Sequence, residues 1–429
     1  MAKTTSSAMR QQIIYSIFVR NFSKEGTFQA VIPELDRIKA LGVDMIWFMP
    51  IHPLGEVARK GQEGSPYAIK DYRSVNPAYG TMADFEQLCD AIHARGMKVM
   101  IDVVYNHTSP DSVLVEEHPE WFYYKPNGQR GNRVGDWTDI VDLDYTHRGL
   151  WDYQIETLVN WARLVDGFRC DVAPLVPIEF WLEAREVVAK VKQDFVWLSE
   201  SIHLEFIRDM RAMGVLAQSD CEIYQAFDMT YDYDVRDAFE DYVKGTRPLS
   251  YFVDRLNLQD VIYPANYVKM RNLENHDNPR IKALVPDSAM LQQWTAFMYF
   301  QKGSALIYNG QEVQASHVPT LFDMDPIEWD WTQDLSPLMT RLAEIKREIL
   351  PLEAKYTLHA DDALDTVVVH YEVTEGRDFV GVCSLKGKSG EVVVPLSDGV
   401  YENLLTHEMV EVREGKVAIG QVALALQAK

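Results

Sequence analysis

Short apolar runs alternate with segments of helical spacing from residue 13 to residue 351, and this alternation is the feature that most constrains the fold. The runs are rich in β-branched and aromatic residues and end near Pro or Gly, which is typical of buried strands. Between them, apolar residues recur every three or four positions, as on one face of a helix. Eight such units in succession predict an α/β fold, a parallel (β/α)8 TIM barrel.

The eight predicted strands are interrupted once by a long segment of different composition. The strands are Ile13–Val19, Met45–Met49, Val99–Val104, Gly167–Ala173, Phe195–Leu198, Tyr224–Phe227, Tyr267–Met270 and Ala305–Tyr308. Residues 106–145, after the third strand, are polar and aromatic and contain many Pro and Gly residues. A loop of that length is uncommon in a compact fold unless it is functional, so we expect a small inserted subdomain there.

The pattern changes again after Pro351, where short β runs follow one another without helical spacing. Such runs, separated by turn residues, predict a small all-β domain. We therefore expect three parts in the chain. These are a catalytic (β/α)8 barrel of residues 1–105 and 146–351, an inserted domain B of residues 106–145, and a C-terminal β-sandwich domain of residues 352–429.

The formal net charge of −22 on 429 residues argues against one broad class of partner. A surface so negative repels phosphate backbones, so nucleic-acid binding is not expected. No run approaches the roughly 18 apolar residues of a membrane span, so no membrane association is expected either. The first twelve residues lack the apolar core of a secretory leader, and the four cysteines form no Cys-x-x-Cys pair. A cytoplasmic location is therefore predicted.

Acidic residues and histidines follow several of the predicted strands. Arg169 and Asp171 lie two residues apart at the end of the fourth strand, so they share one of its faces. Such a pair could be purely structural, and any single charged residue after a strand could be a solvated loop charge. Active sites of parallel barrels lie at the carboxyl ends of the strands. Four strand ends that carry such residues together predict one shared pocket, with Asp102, Asn106, His107, Asp171, Glu200, Asn275, His276 and Asp277.

Two carboxylates in one pocket, one ionised and one protonated, are the chemistry of retaining glycoside hydrolysis. The cation of Arg169 should keep Asp171 ionised, which suits a nucleophile. Glu200 has no cationic neighbour in the sequence and is the better candidate for the proton donor. Aromatic residues could stack on sugar rings, although such clusters more often belong to a core. The candidates are Trp47, Tyr67, Trp137 and the run from Trp121 to Tyr124, which we expect to face a ligand or to pack beneath it.

Taken in order, these motifs closely resemble glycoside hydrolase family 13, the alpha-amylase family. Asp102–His107 is similar to the first signature region of that family, and Gly167–Asp171 is similar to the second. Leu198–Ser201 stands where the family has its acid/base Glu, and Leu273–Arg280 resembles the fourth region. The loop that carries Tyr67 resembles the loop whose Tyr stacks beneath the reacting glucose. The resemblance extends through the whole barrel.

The resemblance implies a role for each of these residues. Asp171 would be the nucleophile, Glu200 the acid/base, and Asp277 a third catalytic residue that holds hydroxyls of the distorted sugar. The substrate-binding residues that it implies are Tyr67, Asp102, His107, Arg169, His276 and Arg280. Calcium is the one candidate cofactor, and its candidate ligands are Asn106 with an acid from the insertion, namely Asp136, Asp139 or Asp142.

Two positions depart from the family pattern. Pro174 and Leu175 stand where family amylases commonly have Lys-His, so binding of the leaving group must differ. The family's His at that place often contributes a backbone carbonyl to the calcium site. Ser199 replaces the usual Gly of the third region.

The motifs predict an alpha-amylase-like, retaining α-glycoside hydrolase that cleaves α-glucosidic bonds in maltooligosaccharides or α-glucans through a covalent glycosyl-enzyme. A transglycosylase or an exo-acting α-glucosidase on the same scaffold is the alternative among enzymes. A non-catalytic carbohydrate-binding relative is a further alternative, although such relatives typically lose the catalytic acids. The motifs do not distinguish endo from exo action, and they do not fix the linkage preference or the oligomeric state.

Overall fold

A computed structural model describes residues 4–134, 137–374 and 377–428 of the chain. The strands up to residue 308 are β1 (Ile13–Ile17), β2 (Met45–Phe48), β3 (Lys98–Val103), β4 (His107–Thr108), β5 (Val141–Asp142), β6 (Gly167–Cys170), β7 (Val196–Ser199), β8 (Met229–Tyr231), β9 (Lys269–Arg271) and β10 (Ser304–Tyr308). β4 and β5 form a separate antiparallel pair. The other eight run parallel in the order β1-β2-β3-β6-β7-β8-β9-β10, and β10 pairs back onto β1. The predicted TIM barrel is confirmed.

Helices connect the strands and cover the barrel. They are α1 (Val19–Phe22), α2 (Phe28–Val31), α3 (Leu35–Ala40), α4 (Met82–His93), α5 (Val113–Glu117), α6 (Arg148–Ala162), α7 (Ile178–Ala189), α8 (Leu204–Ala212), α9 (Asp220–Ile223), α10 (Arg236–Val243), α11 (Leu249–Ile262), α12 (Ile281–Leu284), α13 (Ser288–Phe300) and α14 (Ser336–Glu348). Short 3-10 segments lie at Ser7–Gln11, Ile32–Glu34, Pro119–Trp121, Ala173–Leu175, Gln311–Val313 and Trp331–Gln333. Among the helices of the described ranges, none is both long and apolar enough to cross a membrane.

The sixth barrel strand lies later in the chain than predicted. The run Tyr224–Phe227 is not a strand, and the strand at this place in the barrel is β8. A reciprocal capping box between Ser219 and Glu222 starts α9, and the N–H of Phe227 still donates to the Ile223 carbonyl at 3.1 Å. The capping box of Ser219 and Glu222 therefore stabilises a helical turn at residues 224–227 in place of a strand, as expected of the Ser-x-x-Glu signature of a helix start.

The barrel strands are apolar on both faces because both faces are buried. Ile14 and Met100 belong to a cluster inside the barrel, which also contains side chains of β7 to β10. Their chain neighbours Tyr15 and Ile101 belong to a second cluster, formed between the strands and the surrounding helices. Successive side chains of a strand point to opposite faces, so each strand supplies both clusters.

Gly167 opens β6 and lets this strand approach its neighbours closely. A Cβ atom at this position would lie 2.9 Å from Met100 Cε and 3.0 Å from the Val196 carbonyl oxygen. Real Cβ contacts are rarely so short, so a larger residue would displace β6. The strand that carries Arg169 therefore depends on a glycine at its start.

The residues beyond 351 form two antiparallel four-stranded sheets. Their strands are β11 (Lys355–Asp361), β12 (Thr366–Glu372), β13 (Phe379–Ser384), β14 (Gly390–Val393), β15 (Gly399–Glu402), β16 (Met409–Arg413), β17 (Lys416–Ile419) and β18 (Leu424–Gln427). The first sheet, β11-β12-β13-β18, packs on α11 and α13, and the Tyr371 hydroxyl donates to the Phe300 carbonyl at 3.0 Å. The predicted all-β C-terminal domain is confirmed, whereas the three domain boundaries stay a proposal.

Candidate active site

Arg169 is the centre of a buried charge cluster at the carboxyl end of the barrel. Its side chain, on β6, has no exposed surface. Nη1 donates to Asp102 Oδ1 at 2.9 Å and to Asp171 Oδ1 at 2.8 Å, and Nη2 lies 2.9 Å from Glu200 Oε2. Nε donates to the Tyr231 hydroxyl at 3.1 Å. One guanidinium therefore brings together carboxylates from the ends of three neighbouring strands.

The carboxyl groups of this cluster have pKa values far from those of exposed carboxyl groups. Burial raises the pKa of Asp171 to about 7, although the Arg169 guanidinium lowers it. Burial also raises the pKa of Glu200 well above its ordinary value, again against the effect of Arg169. Burial therefore favours the protonated form of Glu200, which a proton donor needs, while the Arg169 guanidinium opposes protonation of Asp171. Retaining hydrolysis requires this division between a proton donor and a nucleophile.

Two expectations about these charges need correction. Arg169 alone does not keep Asp171 ionised, because the burial of the carboxyl group outweighs the nearby cation. Glu200 does have a cationic neighbour, which is remote in the sequence and adjacent in space. Burial, rather than the lack of a cation, is what raises the pKa of Glu200.

The backbone turn after β6 orients the second carboxylate. Val172 directly follows Asp171 and adopts a left-handed conformation with φ 34° and ψ 41°. This conformation costs a β-branched residue about 1–3 kcal/mol, so the surrounding structure must hold it in place. The Val172 N–H donates to Glu200 Oε2 at 2.8 Å. The strained turn therefore links the positions of the two carboxylates.

Two histidines and a tyrosine lie beside these carboxylates. His107 Nε2 is 3.9 Å from Asp171 Oδ2. The Tyr67 hydroxyl is 2.6 Å from His276 Nε2, and the two rings stack with centroids 5.6 Å apart. Burial lowers the pKa of both histidines to about 4, so both are neutral at pH 7. Neutral imidazoles and a phenol can exchange hydrogen bonds with sugar hydroxyls without adding charge to the site.

One cavity of about 210 Å³ joins these side chains. Six of the predicted site residues line it, namely Tyr67, His107, Asp171, Glu200, His276 and Asp277. Trp137 and Asp139 of the insertion line it as well. Lys60 and Phe322, which the sequence did not single out, complete its wall together with Ser65, Ile140 and Val172. The strand-end residues therefore do meet in one pocket.

Three residues that were predicted to bind substrate do not line this cavity. The side chains of Asp102, Arg169 and Arg280 have no exposed surface. Arg280 pairs with Glu274 at 2.7 Å and donates to the Asn309 carbonyl at 2.9 Å. In this structure the three side chains hold neighbouring protein groups in place, and their direct contact with substrate stays a prediction.

The aromatic run of the insertion, Trp121 to Tyr124, does not line the cavity, and its last residue, Tyr124, is exposed at the surface. Trp121 and Phe122 are buried, and Trp121 stacks on His118 with ring centroids 3.6 Å apart. Trp137 does line the cavity, with its ring centroid 5.5 Å from that of His107. The partners of these rings are set by tertiary contacts, so composition could not separate the two cases.

A buried ion cluster behind Glu200 was not predicted. Ser201, the next residue, donates to Asp220 Oδ1 at 2.7 Å, and Asp220 Oδ2 accepts from Lys269 Nζ at 2.5 Å. Lys269 is fully buried on β9. A lysine inside the apolar run Tyr267–Met270 was the signal available in the sequence, because a charge in a buried strand needs a partner. The cluster anchors the backbone that carries Glu200.

The candidate calcium ligands have other partners. Asp142 Oδ2 accepts the backbone N–H of Arg133 at 2.8 Å and lies 3.3 Å from its guanidinium. The Asn106 side-chain amide is 3.1 Å from His107 Nδ1. Asp136 lies outside the described residues. Elsewhere in the chain, the described residues contain no group of three or more His, Cys, Asp or Glu side chains that could hold a metal ion. The residues described here therefore do not fit a calcium ion.

We expect chelation to leave the stability of the protein nearly unchanged. Arg133 and Lys60 already supply positive charge to Asp142 and Asp139, the two described acids of the insertion that were candidates. The change in Tm on dialysis against EDTA should stay below about 2 °C, since a loss of roughly 1 kcal/mol shifts Tm by about 2–4 °C in a domain of about 150–250 residues and by less in a larger one. Calorimetry with and without added CaCl2 measures it. A larger fall in Tm that CaCl2 restores would contradict this expectation.

Two family models match the chain. The model described as "Alpha amylase, catalytic domain" matches residues 8–349, and "Bacterial Alpha amylase C-terminal domain" matches residues 357–426. The crystal structure of an alpha-amylase from Lactobacillus plantarum is 49% identical with a TM-score of 0.95, over 98% of this chain and 100% of that one. The maltogenic alpha-amylase AmyB from Thermotoga neapolitana is 32% identical with a TM-score of 0.87, over 98% and 99%.

Curated relatives are longer than this chain. Alpha-amylase MalA of Haloarcula japonica is 27% identical over 400 residues, which cover 90% of this chain and 55% of that protein. The alpha-1,4-glucan:maltose-1-phosphate maltosyltransferase of Myxococcus xanthus is 30% identical over 225 residues, 47% of this chain and 33% of that protein. The chain therefore spans about half, or less, of the length of these relatives.

Proposed function

Because this chain belongs to the alpha-amylase family, we propose that it is a retaining α-glycoside hydrolase that cleaves α-glucosidic bonds in maltooligosaccharides or α-glucans. The observation that carries the proposal is the contact of one guanidinium, that of Arg169, with both Asp171 and Glu200. A shared guanidinium holds two carboxylates close together. Both carboxylates can therefore reach one glycosidic bond, as the nucleophile and the acid/base of a retaining enzyme must.

Asp171 and Glu200 would carry the two steps of the reaction. In the first step, a carboxylate oxygen of Asp171 attacks C1 of the sugar, the bond from C1 to the glycosidic oxygen breaks, and Glu200 gives its proton to that oxygen. The product is a glycosyl ester on Asp171 and a neutral leaving alcohol. In the second step, the Glu200 carboxylate takes a proton from water, whose oxygen attacks C1 and releases the Asp171 carboxylate.

Asp277 and the histidines would hold the reacting sugar. Asp277 Oδ2 is 3.1 Å from His276 Nε2, and the Asp277 carboxylate is the most exposed of the acids that line the cavity. A carboxylate at this place can accept hydrogen bonds from two sugar hydroxyls and can stabilise the positive charge that develops at C1. Neutral His107 and His276 can donate to further hydroxyls.

The stereochemistry of hydrolysis tests the proposal. Maltoheptaose should be cleaved to shorter saccharides, and the new reducing ends should appear first as the α-anomer, because two displacements at C1 retain its configuration. Proton NMR during the first minutes of the reaction distinguishes the two anomers before mutarotation mixes them. Early release of the β-anomer would rule out the retaining mechanism, and a lack of any cleavage would leave the non-catalytic alternative.

Transfer to a sugar acceptor is the second candidate function, and the match to relatives named as maltosyltransferases favours it. Transfer and hydrolysis share the first step and differ in whether a sugar hydroxyl or water attacks the glycosyl ester. Chromatography of the same maltoheptaose reaction separates them, since transfer gives products longer than the substrate. The cytoplasmic location stays a prediction from the sequence.

A further inference from the structure

An ion pair between two segments that are far apart in sequence lies in the wall of the catalytic cavity. Lys60 Nζ is 2.9 Å from Asp139 Oδ1, and both residues line the cavity that contains Asp171 and Glu200. Lys60 lies in the loop between β2 and α4, and Asp139 lies in the insertion after β3. Asp139 is only 5% exposed, so its carboxylate depends on a cationic partner. The pair therefore bridges two loops at the cavity.

A third loop, between β10 and α14, holds this bridge in place. The N–H groups of Glu63 and Gly64 donate to the Phe322 carbonyl at 2.9 and 3.1 Å. The N–H of Gln62 donates to Asp323 Oδ1 at 2.7 Å. The Phe322 ring centroid is 6.0 Å from the ammonium group of Lys60, at the outer limit of a cation–π contact. The residues that follow Lys60 are thus tied to the same loop that supplies Phe322 to the cavity.

Gly61 shows how closely these two loops approach one another. Its φ of +66° lies in the left-handed region, and a Cβ atom there would lie 2.5 Å from the Phe322 carbonyl oxygen. Only glycine fits this contact without a shift of the backbone. The loop next to Lys60 is therefore docked in a defined position, and it does not depend on the ion pair alone.

The two ends of the cavity differ in chemistry. At one end, the Glu200 carboxylate accepts the Val172 N–H. Val172 belongs to an apolar cluster with Ile202 and Ile207, and Phe206 packs against this cluster. The leaving group must depart on the side of Glu200, the proton donor, so this apolar surface faces the leaving group. Lys60 and Phe322 instead come from the loops after β2 and β10, and these two strands flank β1, on the side of the barrel opposite β7, the strand that Glu200 follows. The ion pair therefore lies on the side of the sugar that is not the leaving group.

We propose that the Lys60–Asp139 pair closes the donor side of the site, so that the enzyme binds the non-reducing end of an α-glucan and releases short saccharides. The inference rests on the proposed function. A cavity of about 210 Å³ is smaller than the roughly 300–1,000 Å³ of common ligand pockets, which leaves little room for a continuing chain. An internal segment of a glucan would have to separate the pair and leave Asp139 buried without its cation.

Two nitrophenyl maltoheptaosides test this inference, one with a free non-reducing end and one with that end blocked by a 4,6-O-benzylidene group. The wild-type enzyme should cleave the free substrate faster by about tenfold or more, the discrimination that one steric contact in a pocket supplies. Lys60→Ala should reduce this ratio severalfold and should give longer early products from maltoheptaose. Lys355→Ala is the matched control, because it breaks an exposed ion pair with Glu372, 2.8 Å long, in the C-terminal domain.

The outcomes separate this inference from the proposed function. Equal rates of wild-type enzyme on the two substrates would overturn the closed donor side and leave glycoside hydrolysis standing. A ratio that Lys60→Ala does not change would also overturn it, and Lys60→Met repeats this measurement with the volume of the side chain kept. Failure of wild-type enzyme to cleave either substrate would instead count against the proposed function. The wild-type ratio requires no variant to fold.

Discussion

An Asp171→Asn variant is expected to lose about 10⁴-fold or more in kcat/KM on maltooligosaccharides, since removal of a nucleophile is among the most damaging changes in an enzyme. The amide keeps the shape of the side chain but cannot form the glycosyl ester. Initial rates of reducing-sugar release measure the effect. Asp254→Asn, on the exposed surface of α11, is the matched control and should keep wild-type activity. A variant at Asp171 that kept a tenth of the activity would show that another group attacks the sugar.

This loss should not come from unfolding. In the folded protein the pKa of Asp171 is about 7, above the roughly 3.9 of an Asp in an unfolded chain. The folded state therefore binds this proton more tightly, and the stability that it contributes is present below about pH 4 and is lost as the pH rises through about 7. Asparagine carries no charge, so the Tm of the variant at pH 7 should equal or exceed that of the wild type.

A Glu200→Gln variant is expected to lose about 10³-fold or more in kcat/KM on maltooligosaccharides and about tenfold or less on 2,4-dinitrophenyl α-maltoside. General acid catalysis contributes roughly 10²–10⁴-fold when the leaving group needs a proton, and a dinitrophenolate leaves without one. The measurement is therefore the loss of kcat/KM in the variant on each of the two substrates. Ser199→Ala, at the end of the strand that Glu200 directly follows, is a matched control that leaves the carboxylate in place. Equal losses on both substrates would show that Glu200 is not the acid.

The pH dependence of the same variant gives a second measurement. Burial raises the pKa of Glu200 well above its ordinary value, so the wild-type rate should fall as the pH rises and Glu200 loses its proton. Glutamine has no proton to lose, so this alkaline limb should be absent from the variant. The acid limb, governed by Asp171 near pH 7, should remain in both proteins.

The fold could be predicted from the sequence because it depends on periodicity. The runs that became β1, β2 and β3 carry their own apolar pattern, and a barrel follows from repeating it. The prediction of a strand at Tyr224–Phe227 is wrong because a run of four residues, three of them apolar or aromatic, fits a helical turn as well as a strand. The capping box of Ser219 and Glu222 just before the run decides the outcome. Hydrophobic periodicity therefore fails to assign the secondary structure of runs that are too short to show a period.

The sequence predicts which residues belong to the site but not how their side chains are arranged. Asp171, Glu200 and His276 follow strands, and parallel strands bring their ends together. Whether a side chain faces the cavity or lies behind it depends on contacts that no spacing encodes. Arg280 illustrates this, since its partner Glu274 lies in the same motif but its second partner, the Asn309 carbonyl, comes from the next strand. The link between Lys60 and Asp139 likewise joins loops that the sequence separates.

The turn at Val172 has a consequence for how such an enzyme can diversify. The nucleophile precedes Val172 in the chain, and the acid is hydrogen-bonded to its N–H, so the relation between the two carboxylates is set by main-chain geometry and one shared guanidinium. The loops that supply Lys60, Trp137 and Phe322 form part of the wall and carry neither of these two carboxylates. Changes in the surface loops can therefore alter the range of substrates, while the anomeric configuration of the product stays the same.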